Sequence, residues 1–209
     1  MNNHITHILS GCAHNERRSQ KELFELFRKN VFSICYRYEG RSHMIKELVN
    51  ESFVRVFKYI KTFLDNQFTD TYVRTSLQTW IQQMAVTTCV EYYQKGMMND
   101  KVHFANTESN AQIKSDKTVM QTISHNQMIE AIRQLPSADR MIYNLFAVEK
   151  MSLENIADLL RISVIESQLT LERARERIKK SLSIVNFTYK NNADDSPYTM
   201  ISEADSKAS

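Results

Sequence analysis

The scarcity of glycine and proline is the feature that most restricts how this chain can fold. Only three of its 209 residues are glycine and two are proline. β-Strands need turn residues between them, and those residues are nearly missing. Leucine, isoleucine, lysine, glutamate and glutamine are abundant instead, and most of these favour helices. The composition therefore predicts an all-α fold.

Apolar residues recur at three- and four-residue steps along three segments of the first half. This spacing places them on one face of a helix. The segments cover residues 19–38, residues 43–60, and a stretch from residue 77 to Gly96, a residue type at which helices often end. We expect the three helices to share one core and to form a helical domain over residues 11–96.

The polarity of the chain rises after this domain. Residues 97–126 are rich in Asn, Ser, Thr, Lys and Gln without a hydrophobic period, which predicts a flexible linker. Periodicity resumes in a second domain of four helices over residues 127–186. Residues 187–209 are polar and acidic, and we predict that they are a disordered tail. The expected architecture is two small helical domains joined by a flexible linker.

The second domain contains a pattern typical of a helix-turn-helix. Ser152 can cap a short helix, Arg161 and Ile162 can form the turn, and Ser163 to Glu166 has the S-x-x-E form of a capping box. The side chains predicted to face inward are Ile156, Leu159, Leu160, Val164, Ser167, Leu171, Ala174, Ile178 and Leu182. Two helices joined by a short turn are the DNA-binding helix-turn-helix arrangement. An ordinary helical hairpin in a bundle has the same pattern, so both interpretations stay open here.

The charge of the chain is unevenly distributed. The formal net charge is +3, from 27 basic and 24 acidic residues. Residues 191–209 hold four of the acidic residues and one lysine, so the remainder has 26 basic and 20 acidic side chains, a net +6. A mildly basic body is compatible with a nucleic-acid partner.

Cys12, Cys35 and Cys89 lie far apart in the sequence and show no paired spacing, which favours a reducing cytoplasm. The side chains His4, His7, Cys12 and His14 could be drawn as a metal cluster, but we expect a frayed polar terminus there, with no metal or cofactor. The first residues lack the pattern of a secretory signal, and nowhere do 18 apolar residues run together.

Motifs of enzymes are missing from the sequence. It has no glycine-rich phosphate loop, no H-E-x-x-H and no C-x-x-C pair. We therefore expect neither an enzyme nor a small-molecule substrate.

Two stretches resemble a known family in the expected order. "LPSADRMIYNLFAVEKMSLENIADLLRIS", followed by "LERARERIKKSL", resembles region 4 of bacterial RNA polymerase sigma factors. Upstream, "SQKELFELFRKNVFSICYRYEG" and "IKELVNESFVRVFKYIKTF" resemble region 2, and "LQTWIQQMAVTTCVEYYQK" resembles its continuation. With only these two regions across a linker, the chain resembles the extracytoplasmic-function (ECF) group of the sigma-70 family over about residues 11–182.

The resemblance implies a specificity subunit that binds core RNA polymerase, through the β′ clamp helices and the β flap, and recognises promoter DNA. It also implies an anti-sigma factor, usually membrane-linked, as a further partner. The residues that match the polymerase-binding face of region 2 are Glu47, Asn50, Glu51, Val54, Arg55 and Lys58.

The resemblance also implies two DNA-binding surfaces. The candidate residues for the −10 element are Gln82, Gln83, Thr87, Glu91, Tyr92, Gln94 and Lys95. Those for the −35 element are Ser163, Ile165, Glu166, Gln168, Leu169, Thr170, Arg173 and Arg175. Tyr92 and Tyr93 are the expected stacking residues, whereas we expect Trp80 to pack inside the domain.

Several positions depart from the family pattern. Gln82, Gln83 and Gln94 stand where basic residues are common, and Arg161 replaces the glycine of the turn. Residues 152–182 carry six basic and five acidic side chains, which predicts weak attraction to phosphate. These departures keep two alternatives open, a degenerate sigma-like adaptor and a helix-turn-helix regulator that acts without polymerase.

Overall fold

The computed structural model describes residues 2–65, 73–99 and 124–194, and the side chains within residues 4–65, 75–96 and 124–183. Across these ranges the regular structure is helical and contains no strand, which confirms the predicted all-α class. Most of the predicted linker and the end of the predicted tail lie outside the described residues. None of the described helices has the length and hydropathy required to cross a bilayer.

The first half of the chain forms four helices that pack on one another. These are α1 (Asn2–Ala13), α2 (Arg17–Tyr38), α3 (Ser42–Asp65) and α4 (Val73–Asn99). Helices α2, α3 and α4 are the three helices that the periodicity predicts. Helix α4 continues through Gly96 as far as Asn99, three residues past the predicted end. The φ angle of Gly96 is not positive, so the backbone there has no need of glycine.

Helix α1 corrects the prediction of a frayed N-terminus. Its residues Ile5, Ile8, Leu9 and Cys12 are buried against α2, α3 and α4. Their spacing of three, one and three residues places them on one face of a helix. The polar residues between them make this pattern hard to recognise in the sequence. Nε2 of His4 lies 2.9 Å from a carboxylate oxygen of Glu22. Among the described residues, no cluster of His, Cys, Asp and Glu could hold a metal ion.

The second half forms α5 (His125–Arg133), α6 (Ser137–Tyr143), α7 (Leu153–Leu160) and α8 (Val164–Asp194), and α6 continues into a π-helical turn over Asn144–Val148. The four predicted helices are therefore present. Disorder from residue 187 is contradicted as far as residue 194, because the backbone of α8 is helical there. No glycine or proline interrupts α8, and extending an existing helix requires ordering only one residue for each hydrogen bond gained.

The two halves share one apolar core. Residues Met141, Ile142, Leu145, Ile156, Leu160 and Leu171 belong to the same buried cluster as the apolar faces of α1 to α4. A smaller cluster joins α5 to α8 through Ala131, Ile132, Leu135, Ala174, Ile178 and Leu182. The second half is therefore packed against the first, in addition to being connected to it through the chain.

Two of the three cysteines, distant in sequence, meet in this core. The sulfurs of Cys35 on α2 and Cys89 on α4 lie 4.0 Å apart, and Cys89 donates the hydrogen bond. All three cysteines are buried free thiols. Burial, with the charge of Glu16 adding to it, raises the pKa of Cys12 to about 11.

Candidate polymerase-binding and DNA-binding surfaces

The outward face of α3 carries the residues predicted to bind polymerase. Apolar residues at helical spacing, from Ile45 to Phe63, bury the opposite face of the helix. The exposed side chains on the outward face are Glu47, Asn50, Glu51, Val54 and Lys58. Val54 is 58% exposed, so the described residues leave most of this apolar side chain open to solvent. The arrangement offers a mixed polar and apolar strip along one helix.

Arg55 differs from the other residues of this set. It is half-buried and forms an ion pair with Glu91 of α4, with Nη2 donating to the carboxylate. The side chain thus links the predicted polymerase-binding helix to the predicted −10-reading helix. Neither charge is free for a partner while the pair is closed.

A second polar strip follows α4. Gln83, Thr87, Glu91 and Lys95 recur every four residues, so they lie along one side of the helix. Gln83, Thr87 and Lys95 are exposed, while Glu91 is half-buried. The Thr87 hydroxyl donates to the carbonyl of Gln83 at 2.8 Å, which leaves its oxygen as an acceptor. The predicted residue Gln82 is half-buried beside this strip.

The other residues predicted at the C-terminal end of α4 already have partners within the protein. Tyr92 accepts a hydrogen bond from Arg41 at 2.9 Å. Gln94 donates from Nε2 to the carbonyl oxygen of Leu159 in α7, at 2.6 Å. Tyr93 is half-buried, and burial together with the charge of Asp139 raises its pKa to about 12. The predicted stacking residues are therefore part of the packed structure.

Trp80 packs as the sequence predicts. Its ring lies on that of Phe63, with centroids 4.7 Å apart, and it contacts the main core. It thus joins α4 to the end of α3.

The helix-turn-helix is built from local hydrogen bonds. The Ser152 hydroxyl accepts from the amide of Asn155 at 3.2 Å and caps α7. Helix α7 ends at Leu160, and its C-cap residue Arg161 has a left-handed φ of 57°. The amide of Ile162 then donates to the carbonyl of Ala157 at 3.0 Å, the bond that closes a Schellman motif. The predicted turn is confirmed, with an arginine in a conformation that usually selects glycine.

Helix α8 begins as the sequence predicts. The amide of Glu166 donates to the Ser163 hydroxyl at 3.1 Å, which is one of the two bonds of a capping box. A carboxylate at this position also interacts favourably with the N-terminal end of the helix dipole. This accounts for an acidic residue at the start of a candidate DNA-reading helix.

The outward side of α8 presents two large apolar residues. Ile165 is 72% exposed and Leu169 is 58% exposed, which confirms their predicted outward direction. Gln168 is exposed and donates to Glu172 at 3.2 Å. The inward prediction is wrong for Leu159 and Val164, which are exposed.

Thr170 does not face outward as predicted. It is buried, because it lies between the inward positions Ser167, Leu171 and Ala174 on the same side of the helix. Its side chain therefore has no access to DNA in this structure.

Arg173 is also engaged in the structure. It forms an ion pair with the buried Asp139 of α6, with 2.8 Å between Nη2 and Oδ1, and Arg177 binds the other carboxylate oxygen. Arg175 between them is exposed, and its guanidinium lies 5.2 Å from the Phe146 ring centroid. Of the two arginines predicted to bind DNA, only Arg175 points to solvent. Asp139 carries no signal of this role in the sequence, because it is a lone acidic residue near the start of a short helix.

An exposed helix-turn-helix beside a second helical module with its own polar strips is the arrangement of a DNA-binding protein with several contact surfaces. Comparison with known families agrees with it. Residues 23–97 match the family model of sigma-70 region 2, and residues 125–178 match that of sigma-70 region 4.

Two relatives from Bacillus subtilis (strain 168) are similar over most of their length. The ECF RNA polymerase sigma factor SigW is 22% identical over 172 residues, which are 77% of this chain and 87% of SigW. RNA polymerase sigma factor YlaC is 20% identical over 170 residues, covering 80% of this chain and 94% of YlaC. Among solved structures, the sigma factor RpoE in complex with the anti-sigma factor NepR from Bartonella quintana matches with a TM-score of 0.43 and 13% identity, over 78% of this chain and 96% of that chain.

The chain belongs to the sigma-70 family of RNA polymerase sigma factors, in its ECF group. It is therefore a promoter-recognising transcription initiation factor, and its partners are core RNA polymerase and promoter DNA.

Proposed function

We propose that three surfaces of this chain divide the work of a sigma factor. The exposed strip of α3 binds core polymerase, the strip of α4 reads the −10 element, and the start of α8 reads the −35 element. We also propose that the unit up to residue 96 and the unit from residue 127 act as separate modules in the cytoplasm, where polymerase is found. The observation that supports this division is the exposure of all three strips on different helices.

The α3 strip is suited to a protein partner. Glu47 and Glu51 give it negative charge, and Asn50 offers hydrogen-bond donors and acceptors. Val54 adds an apolar side chain that is exposed to solvent. Interfaces gain affinity from apolar contacts surrounded by polar groups. Charge at the edge of an interface sets the orientation of the complex.

The α4 strip is suited to opened DNA. Its amide and hydroxyl groups can bond to base edges that are accessible only in single strands, and Lys95 can contact phosphate. Gln82 and Gln83 bring no positive charge, so they release no counterions. The strip contributes selectivity more than affinity.

The −35 surface would read thymine through its apolar pair. Ile165 and Leu169 lie one helical turn apart at the start of α8, where recognition helices meet base edges. Aliphatic side chains contact the thymine methyl group in the major groove. Ser163, Glu166 and Gln168 supply the polar groups beside them, and Arg175 is available for phosphate.

Weak affinity of the free chain for DNA is part of this proposal. Residues 152–182 hold six basic side chains. Asp139 forms ion pairs with two of them, Arg173 and Arg177, so fewer than six are free to contact phosphate. Binding of the free protein to random duplex at physiological salt should be no tighter than ~10⁻⁶ M. Polymerase would supply the missing affinity by tethering both modules. A submicromolar dissociation constant for random DNA would contradict this part.

An anti-sigma factor is a further proposed partner, as membership of the ECF group implies. The exposed pair Ile165 and Leu169 offers it an apolar surface. An inhibitor on this patch would block the −35 contact directly.

Reconstitution with core polymerase tests the proposal. The purified chain and core are incubated with a supercoiled promoter library, and the transcripts are sequenced. The sigma function predicts transcripts that start at one promoter class and that disappear without the chain. Binding to core without transcripts would favour the adaptor, and a footprint by the free protein would favour the independent regulator.

Two matched variants locate the surfaces in that assay. Glu51→Lys on the α3 strip should weaken binding to core. Glu25→Lys, the same charge change at an exposed position of α2, should leave it unchanged. Equal effects of the two changes would contradict the assignment of the α3 strip.

A further inference from the structure

Two cysteines from different helices face each other inside the first half of the chain. Cys35 lies on the buried side of α2, four residues after Val31, and Cys89 lies on the buried side of α4, four residues after Ala85. Their sulfurs are 4.0 Å apart, although 54 residues separate the two positions in the sequence. Cysteine is often buried as a small apolar side chain, but that use does not require a second sulfur opposite it. The pair is thus placed for an intramolecular disulfide.

The two thiols are not equivalent. The hydrogen bond that Cys89 donates lowers the pKa of the Cys35 thiol in spite of its burial, and the charge of Arg37 acts in the same direction. The same bond, together with burial, raises the pKa of Cys89. Cys12 in the same core shows the contrast, because burial raises its pKa to about 11. The thiolate is the form that oxidants attack, so Cys35 should react first and Cys89 second.

Burial of the pair restricts the oxidant. Cys35 is 0% exposed and Cys89 is 2% exposed. A reagent as large as glutathione disulfide cannot reach either sulfur while the helices are packed. Hydrogen peroxide is close to water in size, and local openings of the fold are enough to admit it. Disulfides in a reducing compartment are usually transient and redox-sensing, which suits a pair oxidised by peroxide.

We propose that Cys35 and Cys89 are a peroxide-oxidised pair, and that their disulfide disturbs the −10 surface of α4. The Cys35 thiolate attacks one oxygen of hydrogen peroxide, the O–O bond breaks, and the released hydroxide takes up the Cys35 proton and leaves as water. The Cys89 sulfur then attacks the sulfur of the Cys35 sulfenic acid, and the displaced hydroxide leaves with the Cys89 proton as a second water. Two thiols are thereby oxidised to one disulfide while one peroxide is reduced to two waters. A dithiol reductant reverses the change.

The disulfide acts on α4 through distance. Bonded sulfurs lie ~2.05 Å apart, so the present 4.0 Å separation has to shrink by about 2 Å. Cys89 lies between Thr87 and Glu91 of the proposed −10 strip, and a close-packed core transmits such a shift. Binding sites need placement within ~0.5 Å. The oxidised chain therefore keeps its α3 strip for polymerase but opens promoters poorly, an effect that rests on the proposed function of α4.

A thiol count tests the pair in the unchanged chain. The full chain is purified with reductant, freed of it, treated with hydrogen peroxide and denatured, and its thiols are titrated with Ellman's reagent. The reduced chain has three thiols, and the treated chain should have one. Mass spectrometry should find a monomer that has lost two hydrogen atoms and a peptide that links Cys35 to Cys89. Three remaining thiols, a link between two chains, or oxygen added to a cysteine without a disulfide would each overturn the proposal.

Two matched variants identify the partners. Cys12→Ala should still form the disulfide, whereas Cys89→Ala should stop at the Cys35 sulfenic acid, which dimedone traps. Peroxide should raise the urea midpoint of wild type and of Cys12→Ala by about 1–2 M, and it should not raise that of Cys89→Ala. A disulfide in Cys89→Ala, which could join only Cys12 to Cys35, would contradict the pairing. The thiol count on wild type needs no variant, so it stays decisive if Cys89→Ala fails to fold.

Transcription with core polymerase measures the consequence. Reduced and oxidised chains are freed of peroxide before core and the promoter library are added. Both should bind core equally, the oxidised chain should give several-fold fewer transcripts, and dithiothreitol should restore them. Equal transcription despite the disulfide, or the same peroxide-induced loss in Cys89→Ala, would overturn the effect on the −10 surface. Absence of transcripts from the reduced chain would instead contradict the proposed function, and the thiol count would still test the pair.

Discussion

Arg173 of α8 donates two hydrogen bonds to one carboxylate oxygen of Asp139 in α6, from Nη2 at 2.8 Å and from Nε at 3.1 Å. The Asp139 side chain is 1% exposed, and Arg177 binds its second oxygen. Helix α8 is thus fixed to the rest of the second half by a buried carboxylate between two arginines. Both arginines therefore stabilise the helix-turn-helix.

Removal of this carboxylate should weaken the fold. Asp139→Ala leaves two partly buried guanidinium groups without their acceptor, and we expect a loss of about 2–4 kcal/mol in the free energy of unfolding. Glu176→Ala on the exposed side of α8 should stay within about 0.5 kcal/mol of wild type. Urea titration followed by circular dichroism measures both. Equal stabilities of the two variants would show that the Asp139 contacts contribute little.

The exposed apolar pair on α8 should affect promoter choice without affecting stability. Ile165→Ala combined with Leu169→Ala removes no buried contact, so the free energy of unfolding should change by less than about 0.5 kcal/mol. Transcripts from promoters with thymine in the −35 element should fall. Leu171→Ala on the buried side of the same helix should cost about 2–5 kcal/mol. A large loss of stability in the double variant would mean that the pair is part of a core.

The turn of the helix-turn-helix contains backbone strain that glycine would relieve. Arg161 adopts a φ of 57°, a conformation that costs a residue with a Cβ atom roughly 1 kcal/mol. Arg161→Gly should therefore raise the free energy of unfolding by up to about 1 kcal/mol. Arg161→Ala keeps the Cβ atom and should give no such gain, which separates the backbone effect from loss of the side chain. A gain in both variants would assign the effect to the arginine charge.

Glu39 should make the free energy of unfolding depend on pH in the acid range. Burial raises its pKa, but hydrogen bonds from the backbone and side chain of Arg41 outweigh this, and the net pKa is lowered. A lowered pKa in the folded state means that the contribution is present above the unfolded pKa of ~4.3 and is lost as the pH falls through the folded value. Glu39→Gln should thus be less stable than wild type at neutral pH, and the difference should shrink below pH ~4. A difference that stays constant with pH would contradict the carboxylate's role.

The helices and the helix-turn-helix could be predicted because each leaves a local signal. Apolar residues at helical spacing mark α2, α3 and α4, and Ser152 and Ser163 mark the two helix starts. The outward direction of Ile165 and Leu169 follows from the same periodicity. Helix α1 had this signal too, in Ile5, Ile8 and Leu9, but it is short and its polar residues suggested fraying.

The contacts between the two halves could not be predicted in the same way. They connect side chains such as Arg140 to backbone carbonyls about one hundred residues away, and such bonds leave no periodic pattern in a sequence. The Asp139 bridge to Arg173 is similar, because a single acidic residue in a short helix is usually exposed to solvent. Thr170 was misplaced for a smaller reason, since one position on a helix turns a side chain by about 100°.

Whether the purified chain binds core RNA polymerase decides whether it acts as a sigma factor. Size-exclusion chromatography with core enzyme, followed by titration with a fluorescently labelled chain, gives the stoichiometry and the dissociation constant. We expect a one-to-one complex of submicromolar affinity that Glu51→Lys weakens and Glu25→Lys does not. A chain that elutes separately from core at micromolar concentrations would contradict it.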